Sequence, residues 1–185
     1  MKISWVAANT VVLDPTVDLE KVKNIGSIWG GWQTWRGCQT DNVICHSMKK
    51  GSDLLQRGFN TICNFYIPKD NYSLLDQPAG VQLYEGKFPD DIEQADEIVS
   101  LHLAAGVSDI VLLLGFDWSE HPKLDDRLQE HRAHVYRTLI NGVVRNNPAV
   151  QFVAVDHPDE FRKDLAQFEN LTRDSMATAL SLLDT

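Results

Sequence analysis

The chain has 185 residues, long enough to bury a core in one domain without disulfide or metal staples. Its 43% hydrophobic and 23% charged residues are the balance of a folded protein, and a net charge of -9 would repel a phosphate backbone, which argues against nucleic acid and anionic membrane as partners. No apolar run approaches the roughly 18 residues of a membrane-spanning helix. The short apolar start is broken by Asn9 and Asp14, so no signal peptide is expected, and Cys38, Cys45 and Cys63, without a CxxC spacing, read as free, mostly buried thiols of a reducing, cytoplasmic compartment.

In chain order, residues 3–8 read as a strand rich in strand-favouring side chains, ending at Asn9-Thr10. Asp14-Pro15 breaks the chain and residues 18–22 form a short helical turn. Residues 25–29 resume as a strand that Gly30-Gly31 is expected to interrupt, beside Trp29, Trp32 and Trp35 at a spacing of three. Residues 42–45 are a short strand exiting at His46, residues 52–57 a helix closed by Gly58, and residues 59–67 a strand closed by Pro68. A loop over 69–80 leads to a short strand at 81–84. Residues 92–105 then form a helix with a stripe of Ile92, Ala95, Val99 and His102, stopped by Gly106.

Residues 110–114 are an unbroken apolar run that ends at Gly115-Phe116-Asp117-Trp118, the pattern of a strand buried on both faces and emptying into a cleft. The helix at 124–145 puts Leu128, His131, Val135, Leu139 and Val143 on one face, with His134 on another. A second apolar strand at 150–155 follows, then a final helix from Pro158 to about residue 183 with a stripe of Phe161, Leu165, Phe168 and Ala179. Strands alternating with helices predict a single α/β domain: a three-layer sandwich with a mostly parallel, Rossmann-like sheet and helices on both faces. Mixed pairing at a sheet edge is compatible with that class.

The order of these elements resembles the small bacterial sialyltransferases of the lipooligosaccharide type and the wider sialyltransferase-like nucleotide-binding group. The resemblance is carried by Val6-Ala-Ala-Asn9-Thr10-Val-Val-Leu13-Asp14, by the acidic turn at 18–22 and the strand after it, and by two further stretches. These are Ala105-Gly106-Val107-Ser108-Asp109-Ile110 and Leu114-Gly115-Phe116-Asp117-Trp118. It implies a nucleotide or nucleotide-sugar ligand at the strand exits and a general-base histidine, which falls on His131. The chain departs from the family where that chemistry is done. Thr10-Val11-Val12 replaces a glycine-rich turn, Gly30-Gly31-Trp32 replaces a nucleotide-contacting Cys-Asn, and Phe88-Pro89-Asp90-Asp91 replaces a Thr-Ser-Gly turn.

The residues themselves place a site at the strand exits. Asn9, Thr10, Gly30, Gly31, Trp32, Gly115 and Trp118 are the candidate substrate-binding residues, because polar, glycine and aromatic groups there allow close backbone approach and stacking. Asp117 and His131 are the candidate catalytic pair, a carboxylate to orient an imidazole that takes a proton. For His131 a satisfied core position is the competing reading, and for the tryptophans core or interface packing. Asp117, Glu120 and His121, with His46 or His157, could donate to a metal, but no ligand spacing supports one and none is expected. No Walker loop or GxGxxG indicates a cofactor. The alternative to a transferase is a non-catalytic assembly protein, such as a viral particle component or a subunit of a complex, and the chain is expected to be a homo-oligomer or a complex subunit.

Overall fold

The computed structural model describes residues 1–8, 19–85, 95–116, 127–156 and 167–181. Its strands are β1 (Ile3–Ala7), β2 (Ser27–Gly31), β3 (Asn42–Ile44), β4 (Asn64–Pro68), β5 (Val81–Tyr84), β6 (Ile110–Leu114), β7 (Gln151–Val155) and β8 (Leu171–Asp174). The helices are α1 (Leu19–Ile25), α2 (Trp35–Cys38), α3 (Met48–Gln56), α4 (Lys69–Tyr72), α5 (Ala95–Ala105), α6 (Arg127–Asn146) and α7 (Met176–Ser181). The strands form one eight-stranded sheet in the order β5-β4-β3-β2-β1-β6-β7-β8. Every pair is parallel, so the sheet is Rossmann-like and the edges carry no antiparallel strand among the described residues.

Side chains alternate across this sheet with the period of two that strands impose. On one face Val6, Trp29, Ile44, Val111, Leu113, Phe152 and Ala154 pack under α5 and α6 through Ile98, Leu101, Ile140 and Val144. On the other face Trp5, Ala7, Ile28, Leu112, Val153 and Val155 meet Val22 of α1, Cys38 of α2 and Ala179 of α7. Further along that face Val43, Cys45, Phe65 and Ile67 meet Leu54 of α3, with Trp35, Phe59 and Tyr72 against them. Strands buried on both faces explain why residues 110–114 show no polar alternation.

Several elements differ from the sequence reading, each for a packing reason. Strand β2 begins at Ser27 and runs through Gly30 and Gly31 rather than stopping before them. A Cβ on Gly30 would lie 3.0 Å from both Thr34 Cβ and Thr40 Cγ2, so the glycine makes room for the turn that packs onto the strand. The strand expected at 59–67 opens as a 3-10 turn over Phe59–Thr61 and becomes β4 only at Asn64. The loop expected at 69–80 contains α4 and a second 3-10 turn, Ser73–Leu75.

The single final helix is also corrected. Phe168 is buried in the core, but β8 follows it and only then α7. The amide of Asn170 donates to the carbonyls of Val144, Asn147 and Val150 at 3.0–3.1 Å, tying the approach to β8 to the end of α6 and the start of β7. That tie is tertiary and leaves no local signature. Residues 157–166, the start of the expected helix, lie outside the described residues.

Gly30→Ala should lower unfolding stability by about 1–3 kcal/mol in chemical denaturation, since the added methyl meets side chains already in contact.

Candidate functional site

The sheet order reverses beside β1. From β1 the chain moves outward through β2, β3, β4 and β5 with α1, α2, α3 and α4 packed on one face; α5 then returns it to β6, and the chain moves the other way through β7 and β8. Parallel crossovers keep one hand, so reversing direction moves the connecting helices to the opposite face, where α5 and α6 lie. The helices that follow β1 and β6 therefore depart to different faces, and the adjacent ends of two such strands are the usual ligand position of an open parallel sheet. The strands stay paired to their ends, with the Ala8 N–H donating to the Leu114 carbonyl at 2.9 Å.

Gly115 stands at this edge, exposed and with φ of 66°, a left-handed conformation that glycine adopts without a Cβ clash. Asn9, Thr10, Asp117 and Trp118, the other residues expected to line the crevice, lie outside the described residues, as do Glu120, His121 and His157. His131 is part of α6, and its side chain is likewise outside the described set. Among the described side chains of that helix, Tyr136, Ile140, Val143 and Val144 are buried, Val135 and Leu139 are half-buried with Leu139 packed against the core, and His134 is exposed. Gly30 and Gly31 are buried in β2. Trp32 packs toward α3 with the Lys50 ammonium 4.3 Å from its ring centroid, while Trp29 pairs with Tyr66 and Trp35 with Phe59.

A second group of polar residues occupies the same edge, at the ends of β3 and β5. The first turn of α5 carries adjacent acids, both buried: Asp96 is 9% and Glu97 2% exposed. The His46 main-chain N–H, just past β3, donates to Asp96 Oδ1 at 2.7 Å, and His46 Nδ1 lies 3.0 Å from the hydroxyl of Tyr84 at the end of β5. The Asn71 side chain of α4 donates to the His46 carbonyl at 3.1 Å. On the other side of α5, Glu97 accepts a hydrogen bond from the Tyr136 hydroxyl of α6. Residues from β5, α4, α6 and the β3 exit thus converge on one turn of α5.

Burial dominates the electrostatics here. It pushes the Asp96 carboxyl up to about 7; the His46 N–H pulls the other way, and the neighbouring Glu97 adds to the rise. Burial also raises the Tyr84 phenol, with the Asp96 charge contributing. A carboxyl that titrates near neutrality can give or take a proton at working pH, and such groups concentrate at functional sites. The thiols do the reverse: Cys38 and Cys63 are each pushed by burial to about 11, so they stay protonated and unreactive. Among the described residues no cluster of His, Cys, Asp and Glu has the arrangement of a metal site.

The sequence reading missed Asp96, Glu97, Tyr84 and Tyr136, and weighed His46 only as a metal donor. It also placed His102 on the buried stripe of its helix, where the structure has it exposed. The α5 helix packs over β1, β2 and β3 and against α6, and residues 96–101 are buried all the way round it. The available signal was that a helix this apolar leaves its two acids nowhere to go but inward.

No protein-family model matches the chain, and no curated protein or solved structure matches it. Function is therefore inferred from the geometry of the chain itself.

Two measurements probe the cluster. Tyr136→Phe removes one donor to the buried Glu97 carboxyl and should cost about 1–3 kcal/mol in denaturant unfolding, the penalty of losing a hydrogen bond to a buried charged group. For Asp96, the folded carboxyl keeps its proton where the unfolded one, at 3.8, has lost it, so its stabilising contribution is complete below 3.8 and is lost as pH rises to about 7. Asp96→Asn should remove that decline, on the order of a few kcal/mol, from the stability–pH profile measured by thermal or urea unfolding.

Proposed function

We propose that the chain binds a nucleotide or nucleotide-sugar in the crevice at the ends of β1 and β6 and acts as a glycosyltransferase-like transferase. The observation that carries this reading is the reversal of strand order between those two strands, which sends the following helices to opposite faces and opens main-chain groups toward a ligand. The exposed, left-handed Gly115 at that edge lets a phosphate or sugar approach the backbone.

In this reading Asn9, Thr10, Gly115 and Trp118 contact the ligand, and Asp117 orients the imidazole of His131. The acceptor hydroxyl attacks the anomeric carbon of the donor sugar. Its proton passes to His131, and the bond from that carbon to the nucleotide phosphate breaks with its electron pair leaving on the phosphate oxygen. No cofactor is invoked.

A second reading, a subunit of a homo-oligomer or larger assembly, is favoured by one observation. Ile62, Leu74 and Leu83 are 60%, 67% and 42% exposed on or near the edge strand β5 and the 3-10 turns flanking β4.

Titration calorimetry with CMP, UDP and their sugars should give saturable heat, and Gly115→Val, strained at its positive φ, should weaken binding about tenfold or more. His131→Ala should keep binding and lose turnover. No heat with any of these ligands, together with a concentration-dependent oligomer in light scattering, would transfer the case to the assembly reading.

A further inference from the structure

The two edges of the sheet are β5 and β8, and among the described residues β5 pairs with β4 alone. Along its outer side, alternate N–H and C=O groups point away from β4 and form a template for another strand. Gln82 is exposed and Leu83 is 42% exposed, so the middle of this strand is open to solvent. Proteins usually guard such an edge with a charge, a proline or a bulge. The other edge, β8, carries Arg173 and Asp174. By contrast β5 is Val-Gln-Leu-Tyr, without a charge or a proline and in unbroken register with β4.

We propose that β5 pairs antiparallel with the β5 of a second copy of this chain, about a two-fold axis normal to the sheet, joining two eight-stranded sheets into one. This rests on the assembly reading above and gives it a surface and a partner. That the occupant is a second copy follows from charge. A two-fold axis sets each group near it against its own copy, so a charged residue there repels itself. Two chains of net charge -9 repel as wholes and meet most readily where that charge is absent. Residues 77–84 are uncharged, as are residues 71–75 of the turn before them. Just past the strand, the Glu85 carboxylate is matched by the Lys69 ammonium at 2.6 Å, so the end of the edge adds no net charge.

The apolar side chains agree with the same axis. Rotation about the sheet normal keeps each face of one sheet continuous with the same face of the other. Leu83 alternates with Tyr84, which packs with α5, and so points to the face that carries α3. Leu74, 67% exposed, belongs to the 3-10 turn whose Leu75 packs on that face. The exposed leucines of both copies thus fall on one side of the joint, where pairing shields them from water. Four strand residues are fewer than a permanent interface uses, so the dimer is a reversible one. Strands β4, β3 and β2 separate β5 from β1, which leaves the ends of β1 and β6 clear of the joint in both copies.

Sedimentation equilibrium of the intact chain, from micromolar to near-millimolar concentration, should show a monomer–dimer equilibrium. Gln82→Lys and Leu83→Lys each place a charge against its own copy at an exposed position, and each should weaken dimerisation about tenfold or more, with urea unfolding checking that both still fold. Amide exchange gives a readout that needs no variant: protection within β5 should rise with protein concentration while that of β8 stays constant. A strict monomer over the whole range overturns the proposal together with the homo-oligomeric form of the assembly reading. An oligomer that both variants leave unchanged, or whose concentration-dependent protection falls on β8, overturns the β5 joint alone and leaves the assembly reading standing.

Discussion

The fixed hand of parallel crossovers is the constraint on which the rest of this structure depends. A chain that lays strands outward from β1 must keep its helices on one face, and when it returns to lay β6, β7 and β8 on the other side of β1 its helices must cover the opposite face. Both layers of helices and both apolar faces of the central strands follow from that one reversal. The return helix α5 is forced across β3, β2 and β1 to reach its strand, and its burial is the cost of the path.

That path explains the polar cluster. Residues 96–101 of α5 are all buried, which leaves its first-turn acids no solvent-facing side, so Asp96 and Glu97 must find donors inside the protein. The helix N-terminus favours negative charge there, and His46 and Tyr136 supply one hydrogen bond each, from β3's exit and from α6. Desolvation still outweighs these at Asp96, whose carboxyl is left titrating near neutrality. The same burial keeps the thiols of Cys38 and Cys63 protonated. The ends of β1 and β6 and the cluster at the ends of β3 and β5 share the carboxyl edge of a single sheet.

How much of this was legible in the residues depended on whether the cause was local. The strands at 3–8, 42–45, 81–84, 110–114 and 150–155 were readable because short strand-favouring runs bounded by turn residues are what a sheet interior demands, and β1, β3, β5, β6 and β7 stand there. The exit at Gly115 was readable because a glycine closing such a run suits a backbone that turns left-handed. Where the cause lay elsewhere in the chain the pattern misled. Gly30 and Gly31 read as a break, but Thr34 and Thr40 need that space within a strand; His102 read as inward, but α5 turns it to solvent. Residues 171–174, Leu-Thr-Arg-Asp, have the composition of a helix or loop and become β8 because β7 offers an open edge to pair with.

By itself the sequence determined the class of the fold and its central apolar strand, since hydrophobic runs and their spacing are set by each residue's own transfer from water. It also determined that the cysteines would be mostly buried among apolar neighbours. Only the tertiary structure decided the order of the strands, and with it that β1 and β6 adjoin at the reversal. The same is true of the meeting of His46, Tyr84 and Asp96, which lie up to 50 positions apart in the chain and are joined by hydrogen bonds. Such contacts arise from the return of α5 across the sheet, a property of the whole path that no local window contains.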